Sequence, residues 1–125
     1  MIQTLDQRTA GQIELLSSFA ELPDGWDSYA APSPAMEAIE NAKSFLLIGT
    51  EDRCVPSQLE PSAMGGVGLT YSKEQREVAI EFYNNGTAHA LFTDEAADTM
   101  NTTAVPTHEA GYRETLERIQ SFLGA

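Results

Sequence analysis

The sequence predicts an α+β domain: a three-stranded antiparallel meander covered by helices, in the order α-α-β-β-β-α. Three observations predict it. Apolar residues recur at helical spacing before residue 50 and again after residue 107. Between these stretches, residues 66–71 and 77–83 alternate with a period of two on either side of a polar turn at 72–76. An Asn85-Gly86 pair then supplies the strongest short hairpin signal. At 125 residues, a single domain over 1–125 accounts for the chain.

Residues 5–21 read as the first helix. Leu5, Ile13, Leu16 and Phe19 fall near one face, and Leu15 and Ala20 widen it. Leu22-Pro23-Asp24-Gly25 ends it, because Pro23 pushes Leu22 out of helical geometry and Asp24-Gly25 is turn chemistry. The next stretch, to Pro34, holds the only Trp, Trp26, with Pro32 and Pro34 closing it. Ser33 is placed to cap a second helix and Pro34 to occupy its first position. Ala35, Ala38, Ile39, Ala42, Phe45 and Leu46 stripe that helix, and Gly49 is its expected stop. The small Ala38 and Ala42 leave a gap that the Trp26 ring would fill. On that reading Trp26→Ala costs about 3–5 kcal/mol.

Residues 50–64, with Pro56 and Pro61, read as an irregular connector. Val67, Leu69 and Tyr71 then share one face of a strand, and Val78, Ile80 and Phe82 one face of the next. A two-residue turn at Asn85 and Gly86 sets the register by counting: Phe82 faces His89 and Ile80 faces Leu91. The third strand runs from Thr87 to Thr93, and residues 94–106 read as polar connector with a helical turn near Asp94–Asp98. Thr107 caps a last helix carrying Tyr112, Thr115, Leu116, Ile119, Phe122 and Leu123, and Gly124 ends it.

Charge is the outstanding compositional feature. Nineteen acidic residues face seven basic ones, for a formal net charge of −12. The excess is spread along the chain, with 10 acids in residues 1–64 and 9 in 65–125. Such a surface repels nucleic acid and favours a basic partner. No apolar run approaches the roughly 18 residues of a membrane span. The N-terminus has no basic region followed by an apolar run, so no signal peptide is expected and the compartment read is cytoplasmic. One cysteine excludes an internal disulfide and fits a reducing compartment.

No complete chemical site is visible. His89 and His108 have no partner at metal-ligand spacing, and no cofactor motif is present. His89 is expected partly buried beside Phe82, and His108 on the surface. Cys54 lies beside Arg53, which would lower the thiol pKa. Gly65-Gly66-Val67-Gly68 precedes a strand instead of following one, so it reads as close backbone packing and not as a phosphate loop. Asp24 and Asp27 flank Trp26 and read first as acceptors for loop N–H groups. The structural residues expected are Trp26, Pro32, Pro34, Gly66, Asn85 and Gly86. The acids expected to meet a partner are Asp24, Asp27, Glu37, Glu40, Glu51 and Asp52.

The segment Gly25-Trp26-Asp27-Ser28-Tyr29-Ala30-Ala31-Pro32 resembles a set of small uncharacterised bacterial and mobile-element proteins. They share Gly-Trp-Asp, then Ala-Pro before an Ala-rich helix, and a Gly-Gly-hydrophobic strand that Gly65-Gly66-Val67-Gly68-Leu69 matches. Ala30 stands where that pattern has Gly, and Tyr71 where it has Trp. The resemblance covers about residues 20–92 and implies an α+β fold and a non-enzymatic accessory role. The function expected is therefore a small acidic protein-binding module. In its sharper form it is a phage or mobile-element inhibitor of a bacterial defence nuclease, anti-CRISPR-like, acting as a DNA mimic. The alternatives are a small acid–base enzyme using His89 or the Asp24/Asp27 pair, and an immunity or antitoxin protein.

Overall fold

A computed structural model describes residues 7–124. Helix α1 (Gln7–Ser18) runs into a 3-10 turn at Phe19–Glu21, and α2 spans Met36–Glu51. Five strands follow: β1 (Gln58–Pro61), β2 (Gly66–Lys73), β3 (Arg76–Tyr83), β4 (Ala88–Asp94) and β5 (Thr99–Ala104). Helix α3 (Glu109–Leu123) closes the chain. The five strands form one antiparallel meander in chain order. The fold class is the expected α+β, but the sheet has five strands instead of three.

Both additional strands are sheet edges. In β1 only Leu59 is buried, and Pro61 stands at its end. In β5 five of six residues are exposed, so no apolar alternation marks it.

The helices cover one face of the sheet. Val67, Leu69, Tyr71, Val78, Ile80 and Phe82 are buried there, as their alternation predicts. Phe45 of α2 centres an aromatic cluster, with ring centroids 5.3 Å from Tyr112, 5.7 Å from Phe82 and 6.3 Å from Tyr71. The edge-on geometry of the Tyr71 and Tyr112 pairs adds to the area buried. Leu16 and Phe19 close the core from α1, but Leu15 and Ala20 are exposed and do not widen that face. Leu5 lies outside the described residues.

Three helix boundaries differ from expectation. Helix α2 starts after Ala35, with no side-chain cap, and Pro34 is buried just outside it. It also runs through Gly49, where a Cβ would sit 2.6 Å from the Cys54 carbonyl oxygen. Gly49 is there for the returning chain: Cys54 N–H donates to Gly49 C=O at 2.8 Å and Arg53 N–H to Thr50 C=O at 3.1 Å. This pair of bonds is the Schellman ending, with Arg53 at φ +57° in the left-handed position that glycine usually takes. At α3 the cap is His108 and not Thr107: His108 Nδ1 accepts from Gly111 N–H at 3.2 Å. Gly124 ends α3 in the left-handed region, as expected.

The β3–β4 hairpin is one residue out of the counted register. Phe82 pairs with Ala88, and His89 pairs with Glu81. The loop is Asn84-Asn85-Gly86: Gly86 N–H donates to Tyr83 C=O at 3.0 Å, and Tyr83 N–H to Thr87 C=O at 2.8 Å. Gly86, at φ +89°, is the left-handed third residue of a three-residue loop instead of the second residue of a two-residue turn. A one-residue slip moves each side chain of a strand to the other face. His89 accordingly lies exposed on the open face of the sheet, and not beside Phe82 in the core.

Candidate functional site

One end of the molecule gathers the residues singled out in the sequence. The loop 22–35 is a compact, internally bonded unit. Gly25 N–H donates to Ala31 C=O at 2.7 Å, and Ser28 N–H to Gly25 C=O at 2.9 Å. Asp27 Oδ1 accepts from the N–H groups of Tyr29 (2.9 Å) and Ala31 (3.3 Å). Asp24 Oδ1 accepts from Ser33 N–H at 2.9 Å and ties the loop's two ends. Both aspartates thus act as acceptors inside the loop, the job short acidic side chains do in turns.

Trp26 is half-buried and its indole N–H donates to Pro32 C=O at 3.0 Å. The ring is not among the side chains that pack on the core. It staples its own loop and does not fill a gap beside Ala38 and Ala42.

The loop is fastened to the sheet by Asn84. Its Oδ1 accepts from Ala35 N–H at 2.7 Å, and its Nδ2 donates to Ser33 C=O at 2.9 Å. Its own N–H donates to Gly65 C=O at 3.1 Å. One residue therefore joins these elements: its side chain ties the Trp26 loop and the start of α2 to the β3–β4 turn, and its backbone N–H ties that turn to the β1–β2 turn. The Pro32 ring and the Asn84 amide close over Gly65, and the Glu37 carboxylate lies over Gly86. Gly66 admits no side chain at all, because a Cβ would collide with the Phe82 carbonyl. Asn85 stiffens the same turn by accepting from Thr87 N–H (3.0 Å) and Oγ1–H (2.7 Å).

On this rigid end stand Tyr29 (85% exposed), Met64 (78%) and Met36 (58%). They are three of the six large hydrophobic side chains exposed among the described residues. Asp24, Asp27, Glu37 and Glu40 lie around them, Glu40 with Lys43 at 3.6 Å. The other two acids do not join this group. Glu51, 14 residues beyond Glu37 and so about 21 Å along the helix, pairs with Arg113 at 3.3 Å, and Asp52 follows it as the C-cap of α2. The six acids form two separate groups, not one continuous strip.

The open sheet face carries a second arrangement. Glu60, Gly68, Glu81, His89 and Ala104 stand in one row across all five strands. Burial raises the Glu81 carboxyl pKa, the nearby Glu60 adds to the rise, and a hydrogen bond from Ser62 opposes it. His89 and Glu81 line a shallow depression of about 380 Å³ with Ala79, Tyr83, Leu91 and Thr102. No group of three or more metal-ligating side chains occurs among the described residues.

Cys54 is buried, and desolvation, with the charge of Asp52 behind it, pushes its thiol up to about 11. That is the reverse of the lowering expected from Arg53. A protonated, buried thiol is not a nucleophile.

No protein-family model, curated protein or solved structure matches this chain. Among the described residues no helix is long and apolar enough to cross a membrane. Sequence reasoning missed Asn84, Tyr29, Met36, Met64 and Glu81. The doubled Asn84-Asn85 before Gly86 was the available signal for the first, because it lengthens the turn by one residue.

Proposed function

We propose that this protein is a binding module for another protein, and that the Asn84-fastened end is the surface it uses. The observation that carries this reading is the placement of Tyr29, Met36 and Met64. Exposed aromatic and methionine side chains on a rigid frame are the usual anchors of a protein interface. Preorganised loops lose little entropy on binding. Asp24, Asp27, Glu37 and Glu40 around them, on a chain of net charge −12, favour a basic partner. In its sharper form the partner is a nuclease of a bacterial defence system whose basic channel is occupied as by DNA. An immunity or antitoxin role uses the same surface, and the partner's identity separates the two.

The test is site-specific photocrosslinking in the source cell. A photoreactive residue at position 29 is compared with one at position 100, at the other end of the sheet. A partner trapped from 29 and not from 100, and lost when Met36→Ala and Met64→Ala are added to the position-29 probe at unchanged thermal stability, supports the reading. Equal trapping from both positions, or none, overturns it. Competition by duplex DNA and strong weakening by salt are expected of the nuclease form.

The His89–Glu81 row favours a second reading, a small acid–base enzyme working in the sheet depression. A carboxyl with a raised pKa beside an imidazole is a general acid–base pairing. It requires an activity that His89→Gln and Glu81→Gln both abolish while the fold is kept.

A further inference from the structure

The end of the molecule opposite Asn84 holds a pocket that the protein-binding reading does not use. Three of the chain's seven basic residues, Arg8, Arg53 and Lys73, line a cavity of about 270 Å³ with Cys54, Ser57, Tyr71, Ser72 and Gln120. In a chain with 19 acids, cations ordinarily find carboxylates. Lys43, Arg76 and Arg113 do so. Arg118 lies over the Phe92 ring. The three pocket cations form no ion pair among the described residues. Arg8 donates to Pro56 C=O at 3.0 Å and Lys73 to Gly124 C=O at 3.3 Å, which leaves most of their donors free.

One further feature points to a ligand. Tyr71 is 2% exposed, lines the cavity, and its hydroxyl has no hydrogen-bond partner in the protein. A buried, unpaired hydroxyl is costly unless something is there to meet it. Arg53 occupies a left-handed position, φ +57°, where glycine would be unstrained. That conformation belongs to the Schellman ending of α2, so Arg53→Gly removes the side chain without disturbing the backbone.

We propose that this pocket binds a phosphate-type dianion, either inorganic phosphate or the phosphate group of a small molecule. Three cations exceed what a monovalent carboxylate needs, and they match a doubly charged group. Two guanidinium forks and the lysine ammonium supply donors for several oxygens at once, while the Ser57 hydroxyl donates to Thr70 C=O and bonds the Ser72 hydroxyl at the rim. Tyr71 adds a neutral donor from the cavity wall, because burial raises its pKa well above the ordinary tyrosine value. The cavity is small for a cofactor and admits a phosphate with a few further atoms.

Titration calorimetry at pH 7.5 with inorganic phosphate, glycerol phosphate and acetate tests this. Saturable one-to-one binding is expected for phosphate, with Kd below about 1 mM, and none for acetate. Tighter binding of glycerol phosphate identifies the esterified source, and equal or weaker binding identifies the free ion. Arg53→Gly is expected to fold, to raise the melting temperature by about 3 °C, and to weaken phosphate binding at least tenfold. Tyr71→Phe is expected to weaken it about threefold to tenfold with no loss of stability. The proposal is overturned if phosphate gives no saturable heat, or if both variants bind it as the parent does. It is equally overturned if Arg53→Gly lowers the melting temperature and phosphate does not bind, since the cations then serve only the helix ends.

Discussion

Replacing Asn84 by alanine tests the frame on which the proposed binding surface stands. The change removes two side-chain hydrogen bonds, of 2.7 and 2.9 Å, and leaves Ala35 N–H and Ser33 C=O without their partner. A net hydrogen bond contributes about 1 kcal/mol, and an unpaired, partly buried group adds to the loss. The expected destabilisation is about 2–3 kcal/mol, or about 8–11 °C in melting temperature for a chain of this length. Urea unfolding followed by far-UV circular dichroism measures it. Trp26 fluorescence, from the only indole in the chain, reports the loop separately. Asn84→Asp is the sharper probe. It keeps the acceptor for Ala35 N–H but, when ionised, turns a lone pair toward Ser33 C=O. Its deficit relative to the parent is therefore expected at pH 7 and should shrink at pH 3, where the carboxyl is protonated and donates again. A loss under about 0.5 kcal/mol for alanine, or an aspartate deficit that acid leaves unchanged, refutes the assignment of Asn84 as the fastening residue.

Three further outcomes are expected. Trp26→Ala should cost about 1–2 kcal/mol in a thermal melt, since the ring is half-buried and its one hydrogen bond is exposed; a loss of 4 or more (~4 kcal/mol) would place the ring in the core after all. Glu74→Gly should stabilise the protein by about 1 kcal/mol in urea unfolding, because Glu74 holds φ +55° in the two-residue β2–β3 turn. Glu81→Gln should stabilise at pH 7.5 and have little effect at pH 4. The folded state raises the Glu81 pKa, so it retains a proton that the unfolded chain releases above about pH 4.3, and stability falls as pH rises through that window. Paired melts of parent and variant at the two pH values check the sign.

The central fold was legible because burial there is one-sided. Val67, Leu69 and Tyr71 alternate with Gly66, Gly68 and Thr70, and that pattern has one reading. The edge strands were not legible for the same physical reason. A strand exposed on both faces, as β5 is, has no side that selects apolar residues, so Thr99-Met100-Asn101-Thr102-Thr103-Ala104 reads as connector. Strand β1 buries one residue and ends in proline. The hairpin register failed on a single residue, because Asn-Gly serves both a two-residue and a three-residue loop. Asn84 belongs to the turn in this hairpin, and its side chain is committed elsewhere.

The sites divide in the same way. The Trp26 loop was visible as a local object, since its prolines, glycine and aspartates bond within a dozen residues of one another. Its attachment was not visible, because Asn84 reaches it from 49 and 51 residues away. The cationic pocket is less local still. Arg8, Arg53 and Lys73 are scattered in sequence and read as incidental bases on an acidic chain. They meet because the start of α1, the end of α2 and the β2–β3 turn lie at one end of the domain. Seven bases among 19 acids would be expected to pair off. That three unpaired ones share a cavity with a buried, unpartnered hydroxyl is a property of the topology, and it makes the end that looked empty of chemistry the better place to seek a ligand.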